Sequence, residues 1–404
     1  MFATDQILSD SQGNQVGSYQ VWSKQDPERP GNVLLTSIGT TGGASSPTET
    51  VRVSIKYNPS IFDYTFFVGD PANPNSEMEF WRDSDHGCGW DDSDWNNHSG
   101  EDHDGYHEDG DHHEWHDDCG TTTIVGKTHV NGKLEVEGDE EHGNGHIVLL
   151  SRAGHTDTVT YTSSYDVHRG SIFSGNITPT RSAPVDFPVV NFSADLTTAN
   201  NSGAAITLTF NSSGSPPAGW TRNDSTFSIT AQEFVNRYNG RVVRIMNNYS
   251  NARFQINGSS SSPQTITSTI QVLAVGSGLS TRTVNGLRIY GPGISMQPAN
   301  GLAILSAQGD VRLKYGVVVG SQGNGALIYC SGTGGDSKFQ IIDGGTVYGT
   351  IAVKGQAGQL KTGDDSHVAQ DTTLIYDDNY VSKLPTGWWN YGSMTSFKEN
   401  YARD

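Results

Sequence analysis

Residues Asn300–Gly320 read NGLAILSAQGDVRLKYGVVVG, and this stretch decides the fold. Three short apolar runs, LAIL, VRLK and VVV, are separated by turns that carry glycine, with no room between them for a helix. Apolar and polar residues alternate as they do along a strand whose successive side chains point to opposite faces. Glycine at each break supplies the backbone freedom of a tight turn. The same texture continues outward: GRVVRI at Gly240–Ile245, ARFQING at Ala252–Gly258, NGLRIYGPG at Asn285–Gly293, GALIYCSG at Gly325–Gly332 and KFQIIDGGTVYGTIAVKG at Lys338–Gly355. It also appears earlier, in TTTIVGKTHVNGKLEVEG at Thr121–Gly138.

Strands this short and this closely spaced predict an all-β chain, a right-handed parallel β-helix or solenoid whose coils stack by parallel pairing. An antiparallel sandwich would favour strands nearer the usual length of about five or six residues throughout. Val242, Ile245, Leu287, Ile289, Leu302 and Ile304 are predicted to stack inward, as are Val311, Leu313, Leu327, Phe339, Ile341, Val347 and Ile351. Their work is packing.

One helix is expected, in ITAQEFVNRYNG, where Ala231, Phe234, Val235 and Tyr238 recur at helical spacing. Thr230 and Glu233 form a capping box at its start, and Gly240 is a stop just past its end. Nearer the N-terminus, YQVWS, NVLLTSIG and ETVRVSIKY alternate between polar turn clusters and read as antiparallel hairpins. The expected organisation is an N-terminal β region over 1–75, an inserted acidic loop over 76–120, the solenoid over 121–384 and a C-terminal cap or tail over 385–404.

Composition agrees with this reading. The 404 residues include 48 glycines and five methionines, against a helical protein. No window approaches the roughly 20 apolar residues that span a bilayer. The formal net charge is −19. Between Ser76 and Cys119 stand sixteen Asp/Glu, seven His and one basic residue, Arg82, so most of that charge is concentrated there. Like charges at this density must be neutralised or stay solvated, and an acidic surface excludes nucleic acid as an expected partner.

The tract interleaves imidazole with carboxylate, which points to a divalent metal ion rather than to a merely solvated loop. The candidate ligands are His86, His98, His103, Asp104, His107, Asp109, Asp111, His112, His113 and His116. A mixed nitrogen and oxygen donor set suits Zn, Cu, Ni or Mn. Calcium stays open because DDSDWNN and EDHDG space their carboxylates as calcium loops do, although neither matches the twelve-residue pattern. His113-Glu114-Trp115-His116 is one residue short of a zincin helix. Cys88 and Cys119 bracket most of the imidazoles. A disulfide between them would close a loop worth about 3 to 4 kcal/mol in the chain-entropy picture, as suits an exported protein. Cys330 reads as a buried thiol.

Taken in order, NVLLTSIGTTGGASSPTETVRVSIKY, IFDYTFFVGD, THVNGKLEVEG, ITAQEFVNRYNGRVVRI, LAILSAQGDVRLK and TLIYDDNYVSKLPTGWW resemble the extracellular part of PilX-like minor pilins and related pilus-assembly proteins. The resemblance covers most of Tyr19–Trp389 and implies a surface-displayed, extracellular protein of a type IV pilus with structural or adhesive work. Its implied partners are pilus subunits or a cell-surface or glycan receptor. It further implies that the membrane is reached only through a hydrophobic N-terminal helix, which this sequence does not contain. The acidic, His-rich tract is foreign to the family pattern, so metal binding there rests on composition.

A β-helix can also carry a polysaccharide lyase or hydrolase, which needs carboxylates with nearby Arg or Lys on its outer face. Asp310, Arg312, Lys314, Asp336 and Asp343 are the candidates for that alternative, and their scatter favours a non-enzymatic protein. The aromatic end, with Trp388, Trp389 and Tyr391, is expected to seal the last coil or to offer a contact surface.

Overall fold

A computed structural model describes residues 6–25, 32–41, 48–56, 63–72, 76–82, 121–136, 146–167, 172–187, 205–211, 214–247, 252–274, 286–297, 304–307, 309–330, 338–355, 357–362, 372–377, 379 and 398–400. The chain divides into two units. One comprises Met1–Ser60, Pro188–Val190 and Trp389–Asp404, the other Ile61–Phe187 and Asn191–Trp388.

The first unit is a five-stranded antiparallel sheet, Gln6–Ser9, Gln15–Gln25, Asn32–Thr41, Thr48–Lys56 and Lys398–Asn400. Three of these strands are the alternating runs read as hairpins from the sequence, and they pair in that order. Asp10 sets the first turn by accepting from the backbone N–H groups of Gln12 and Asn14, an Asx arrangement that substitutes for backbone pairing.

The second unit is mostly β, and its main ladders are parallel. Leaving Ala205–Phe210, the chain supplies strands to three ladders in turn, and each return adds a rung beside the previous one. Sheet I runs through Ala205–Phe210, Val242–Asn247, Thr269–Ala274, Ile304–Ala307 and Ala326–Cys330 to the second half of Gly345–Val353. Sheet II runs through Thr226–Thr230, Arg253–Asn257, Gly286–Tyr290, Val311–Lys314 and Phe339–Ile342 to Ala357–Thr362. Sheet III runs through Gln264–Ile266, Ile294–Met296, Val317–Val319 and the first half of Gly345–Val353 to Thr372–Ile375.

Register converts the alternation into columns. In sheet II, Phe227, Phe254, Leu287, Val311 and Phe339 lie on successive rungs, followed along the strands by Ile229, Ile256, Ile289, Leu313 and Ile341. All ten are buried. Of the other residues predicted inward, Ile245, Val347 and Ile351 are in the core, whereas Val242 and Leu327, although buried, fall on the opposite strand face, because the neighbouring Val243 and Ile328 are the ones in register with the core columns; Leu302 lies outside the described residues, and Ile304 is placed only as a strand residue. Burying such side chains contributes about 1.5–3 kcal/mol each.

Stack order is not chain order. Phe66–Val68 adds to Ile351–Val353, Ser76–Arg82 to Ala357–Thr362, and Thr122–Val125 to Thr372–Ile375. An early coil is therefore seated on the last one, and Thr128–Val130, Gly132–Val136 and His146–Leu150 continue the stack beyond it. The junction is tied at Tyr64–Thr65, where Thr350 Oγ1 donates to the carbonyl of Tyr64 at 2.8 Å and the Ile351 N–H to that of Thr65 at 2.9 Å. Inside it, the rings of Phe66 and Phe339 meet edge to face at 5.8 Å.

The single helix among the described residues is Ala231–Tyr238. Thr230 Oγ1 accepts from the Glu233 N–H at 3.2 Å, and Glu233 also pairs with Arg237 one turn on. Ala231, Phe234 and Tyr238 are its buried face. No helix among the described residues is long and apolar enough to cross a membrane.

Candidate functional site

The ten candidate metal ligands and both Cys88 and Cys119 fall within 83–120, outside the described residues. What is described is the frame that holds the two ends of that tract. Ser76–Arg82 in sheet II leads into it, and Thr122–Val125 in sheet III follows it. The tract is thus inserted where the chain passes from sheet II to sheet III.

Two neighbouring coils make the same passage with related sequences. The connection 363–371 reads GDDSHVAQD and lies between Ala357–Thr362 and Thr372–Ile375. The connection 137–145 reads EGDEEHGNG and lies between Gly132–Val136 and His146–Leu150. Their flanking strands are the rungs directly on either side of Ser76–Arg82 and Thr122–Val125. Three carboxylate- and imidazole-bearing connections therefore spring from consecutive rungs at one corner. Among the described residues no group of three or more His, Cys, Asp or Glu side chains is placed to hold a metal.

His146, at the exit of the third connection, was not singled out from the sequence. Its Nδ1 lies 3.2 Å from Thr121 Oγ1 and its Nε2 3.1 Å from Ser174 Oγ. Hydroxyls donate or accept, so these partners serve either tautomer of the ring. His146 thereby links the end of the acidic tract to the coil beyond.

A second imidazole does structural work. His129 is buried between Thr160 and Asn131, with Nδ1 2.8 Å from Thr160 Oγ1 and Nε2 2.9 Å from Asn131 Oδ1. The amide oxygen only accepts, so Nε2 carries the proton and Nδ1 accepts from the threonine. Asn131 also takes the Val185 N–H at 2.9 Å and donates to the carbonyls of Gly69 and Val185. Two residues further on, Phe187 packs on Phe67 and Tyr329 at ring separations of 5.7 and 5.6 Å. A strap across the outer face of sheet I accounts for the burial of Tyr329 on a strand position that faces away from the core.

Burial lowers the His129 pKa below its ordinary 6.5, against the Asn131 hydrogen bond, and the Lys127 ammonium adds to the lowering. The folded state thus binds fewer protons than the unfolded chain once pH drops below that ordinary value. Stability contributed by neutral His129 is present above about pH 6.5 and is lost as pH falls toward its lowered folded value. Denaturation midpoints measured from pH 7.5 to 5 should fall more steeply for the wild type than for His129→Gln, and equal slopes would refute the assignment.

The outer face of sheet II is divided by charge. At one end Glu79, Glu135 and Asp166 occupy one register column, beside the neighbouring column position of Glu77 and Lys133. Lys133 pairs with Glu135 and lies 3.7 Å from Glu77. At the other end Gln255, Arg288, Arg312 and Gln340 form one column, and Arg312 Nε donates to Gln340 Oε1 at 2.7 Å. Of the residues considered for an enzyme, Asp310 and Arg312 are close enough to interact, with Arg288 and Arg253 completing the group. Asp310 is only 7% exposed, and burial pushes its carboxyl up against the pull of Arg288 and Arg312. Lys314 pairs with Asp343 at 3.6 Å, and Asp336 lies outside the described residues. Trp388, Trp389 and Tyr391 do so as well. Arg288 and Arg253 were missed in the sequence because their alternation signals only a strand; the register that aligns them is not local.

No family model matches this chain, and no curated protein does. Among solved structures it is similar to the competence-associated pilin ComZ from Thermus thermophilus, at 14% identity over 99% of this chain and 86% of that one, with a TM-score of 0.41. A likeness of that size carries no argument about fold or role.

Proposed function

We propose that this chain is an extracellular, pilus-associated protein of minor-pilin type, with structural or adhesive work and a metal-binding Asp/His-rich loop closed by a Cys88–Cys119 disulfide. Its scaffold in this reading is a right-handed parallel β-helix. Parallel rungs added through two intervening strands support that, since crossovers of this kind are right-handed in about 98% of cases. The ordered run of segments resembling PilX-like minor pilins supports the pilus assignment, with pilus subunits or a surface receptor as partners.

The observation that carries the metal reading is the corner where 363–371, 83–120 and 137–145 leave consecutive rungs. Carboxylates and imidazoles from three connections are rooted side by side there, and a divalent cation is the simplest neutraliser of their charge. Zn, Cu, Ni or Mn fits the mixed donors, and Ca the carboxylates alone. Metal analysis of protein purified without an affinity tag should find a bound divalent ion. Chelator should expose 83–120 to protease while the ladder unit melts unchanged. Absence of metal together with an unchanged digestion pattern would reduce the tract to a solvated acidic loop.

A polysaccharide-active enzyme is the second reading, and one observation favours it: a buried carboxyl, Asp310, with a raised pKa beside Arg288 and Arg312. A reducing-sugar release assay on acidic and neutral glycans separates the two. Release abolished by Asp310→Asn would favour the enzyme, and binding without release the adhesive protein.

A further inference from the structure

We propose that residues 182–187 are a strap that acid opens, protonation of His129 releasing it from the outer face of sheet I and uncovering Phe67 and Tyr329. This inference stands apart from the pilus and metal readings, because it draws only on that face. Tyr329, Ala352, Phe67, His129 and Thr160 are register partners on successive rungs, one outward column along the stack. Alternation assigns such a column to solvent, yet its first four residues are at most 1% exposed. The strap runs down that column. Ser182 N–H donates to the Tyr161 carbonyl at 2.9 Å, Val185 meets Asn131, and Phe187 packs on Phe67 and Tyr329, with the small Ala352 between them. Past Ser182, its only hydrogen bonds to the ladders among the described residues are the two that Val185 makes with the Asn131 side chain, and Val185 itself is half-buried. So light an attachment can open without disturbing a rung.

His129 is wired to that attachment. Three backbone groups orient the Asn131 amide: Oδ1 accepts from the Val185 N–H, and Nδ2 donates to the carbonyls of Gly69 and Val185. Oδ1 is thus the atom that meets His129 Nε2, which must carry a proton, so a second proton has only Nδ1 to occupy. Thr160 Oγ1, the donor to Nδ1 in the neutral state, would have to turn its hydrogen to the Thr128 carbonyl at a longer 3.4 Å. The imidazolium would then lie out of water beside the rings of Tyr64 and Phe67, at 6.0 and 5.2 Å. Of the charged groups on the surrounding elements, the Lys127 ammonium acts on the ring and opposes protonation. Asp63 and Asp157 act on Lys127, while Asp157 is paired with Arg152 and Asp70 with Lys354. Burial and Asp63 push the Tyr64 phenol up, so it stays neutral, and Arg181 and Asp186 are exposed. Burial, with Lys127, holds the closed-state pKa of His129 below 6.5, whereas opening returns the ring to water and to its ordinary value. Opening therefore takes up a proton, and it is favoured as pH falls from about 6.5 toward the lowered value.

The test is hydrogen–deuterium exchange of the full chain, read by mass spectrometry at about pH 7.5, 6.5 and 5.5, with each rate divided by its intrinsic value. Protection of 182–187 should fall by up to about tenfold for each pH unit below about 6.5, while the rungs Ala326–Cys330 and Gly345–Val353 keep theirs. His129→Gln, which still offers Asn131 a donor but takes up no proton, should abolish that dependence. Phe187→Ala removes the strap's anchor without touching the imidazole, and it keeps the proposal falsifiable if the buried substitution fails to fold. It should leave 182–187 unprotected at pH 7.5 and, by reciprocity, raise the His129 pKa toward 6.5 in an NMR titration of the ring. An unchanged His129 titration in Phe187→Ala would overturn the proposal, as would a pH dependence that survives in His129→Gln. Strap protection that ignores pH would overturn it as well. Strap and rungs losing protection together would overturn it in favour of global acid unfolding.

Discussion

Gly349→Ala should destabilise the ladder unit by more than about 4 kcal/mol, the range reached only by substitutions that break a specific structural requirement. Gly349 is the point at which the strand Gly345–Val353 leaves sheet III and enters sheet I. Its φ is +129°, and a Cβ there would stand 1.9 Å from the carbonyl oxygen of Ala326 and 2.5 Å from its nitrogen. Those are backbone atoms of the neighbouring rung, and Ala326–Cys330 is held in register with Gly349–Val353, so they cannot swing aside as a side chain would. Gly154 provides the control. It also has a positive φ, +75°, but nothing lies within 4 Å of its Cβ position. Gly154→Ala should therefore cost only the left-handed backbone strain, about 1–2 kcal/mol. Urea denaturation, comparing midpoints at constant slope, measures both. Similar small losses at the two positions would mean that the corner relaxes and that close approach is not what fixes glycine there.

What the sequence made legible was local. The helix Ala231–Tyr238 could be placed because Thr230, Glu233 and the buried stripe of Ala231, Phe234 and Tyr238 all signal within one short segment. Most of the inward columns were legible for the same reason, since a strand's alternation declares which residues share a face; in the all-apolar runs around Val242–Val243 and Ala326–Cys330 there is no alternation to say which face is which, and Val242 and Leu327 fall on the outer one. Stack order was not. Ile61–Asp70 reads only as a packed apolar motif, and nothing near Phe66 records that its partner rung is Ile351–Val353. Parallel pairing is selected by the fit of whole columns, over sequence separations that local signals do not reach. Tyr329 shows a related limit, since its burial depends on Phe187 packing over a face that alternation alone assigns to solvent. The candidate site divides in the same way. Composition marked 76–120 as unusual, but the side-by-side rooting of 363–371, 83–120 and 137–145 follows only from the order of the rungs.

That order has a direct test in two phenylalanines far apart in the chain. Phe66 and Phe339 are both fully buried, on different ladders, and their rings meet at 5.8 Å across the interior. Phe339→Ala should cost about 3–5 kcal/mol, the transfer term plus the cavity left in a column flanked by Val311 and Ile341. Phe66→Ala should cost a similar amount, about 3–5 kcal/mol, although Phe66 belongs to a three-residue strand that would have little stability alone. The informative quantity is the coupling. If the early coil sits on the late one, the double variant should depart from additivity by about 0.5–3 kcal/mol, because removing either ring deprives the other of its partner and merges two cavities. Phe66 with Phe254, a buried ring near the opposite end of sheet II, should be additive within about 0.5 kcal/mol. Full additivity of Phe66 with Phe339 would separate the two coils and remove the shared corner on which the metal reading stands. Coupling confined to that pair would fix the stack order in solution and, with it, the alignment of the three acidic connections.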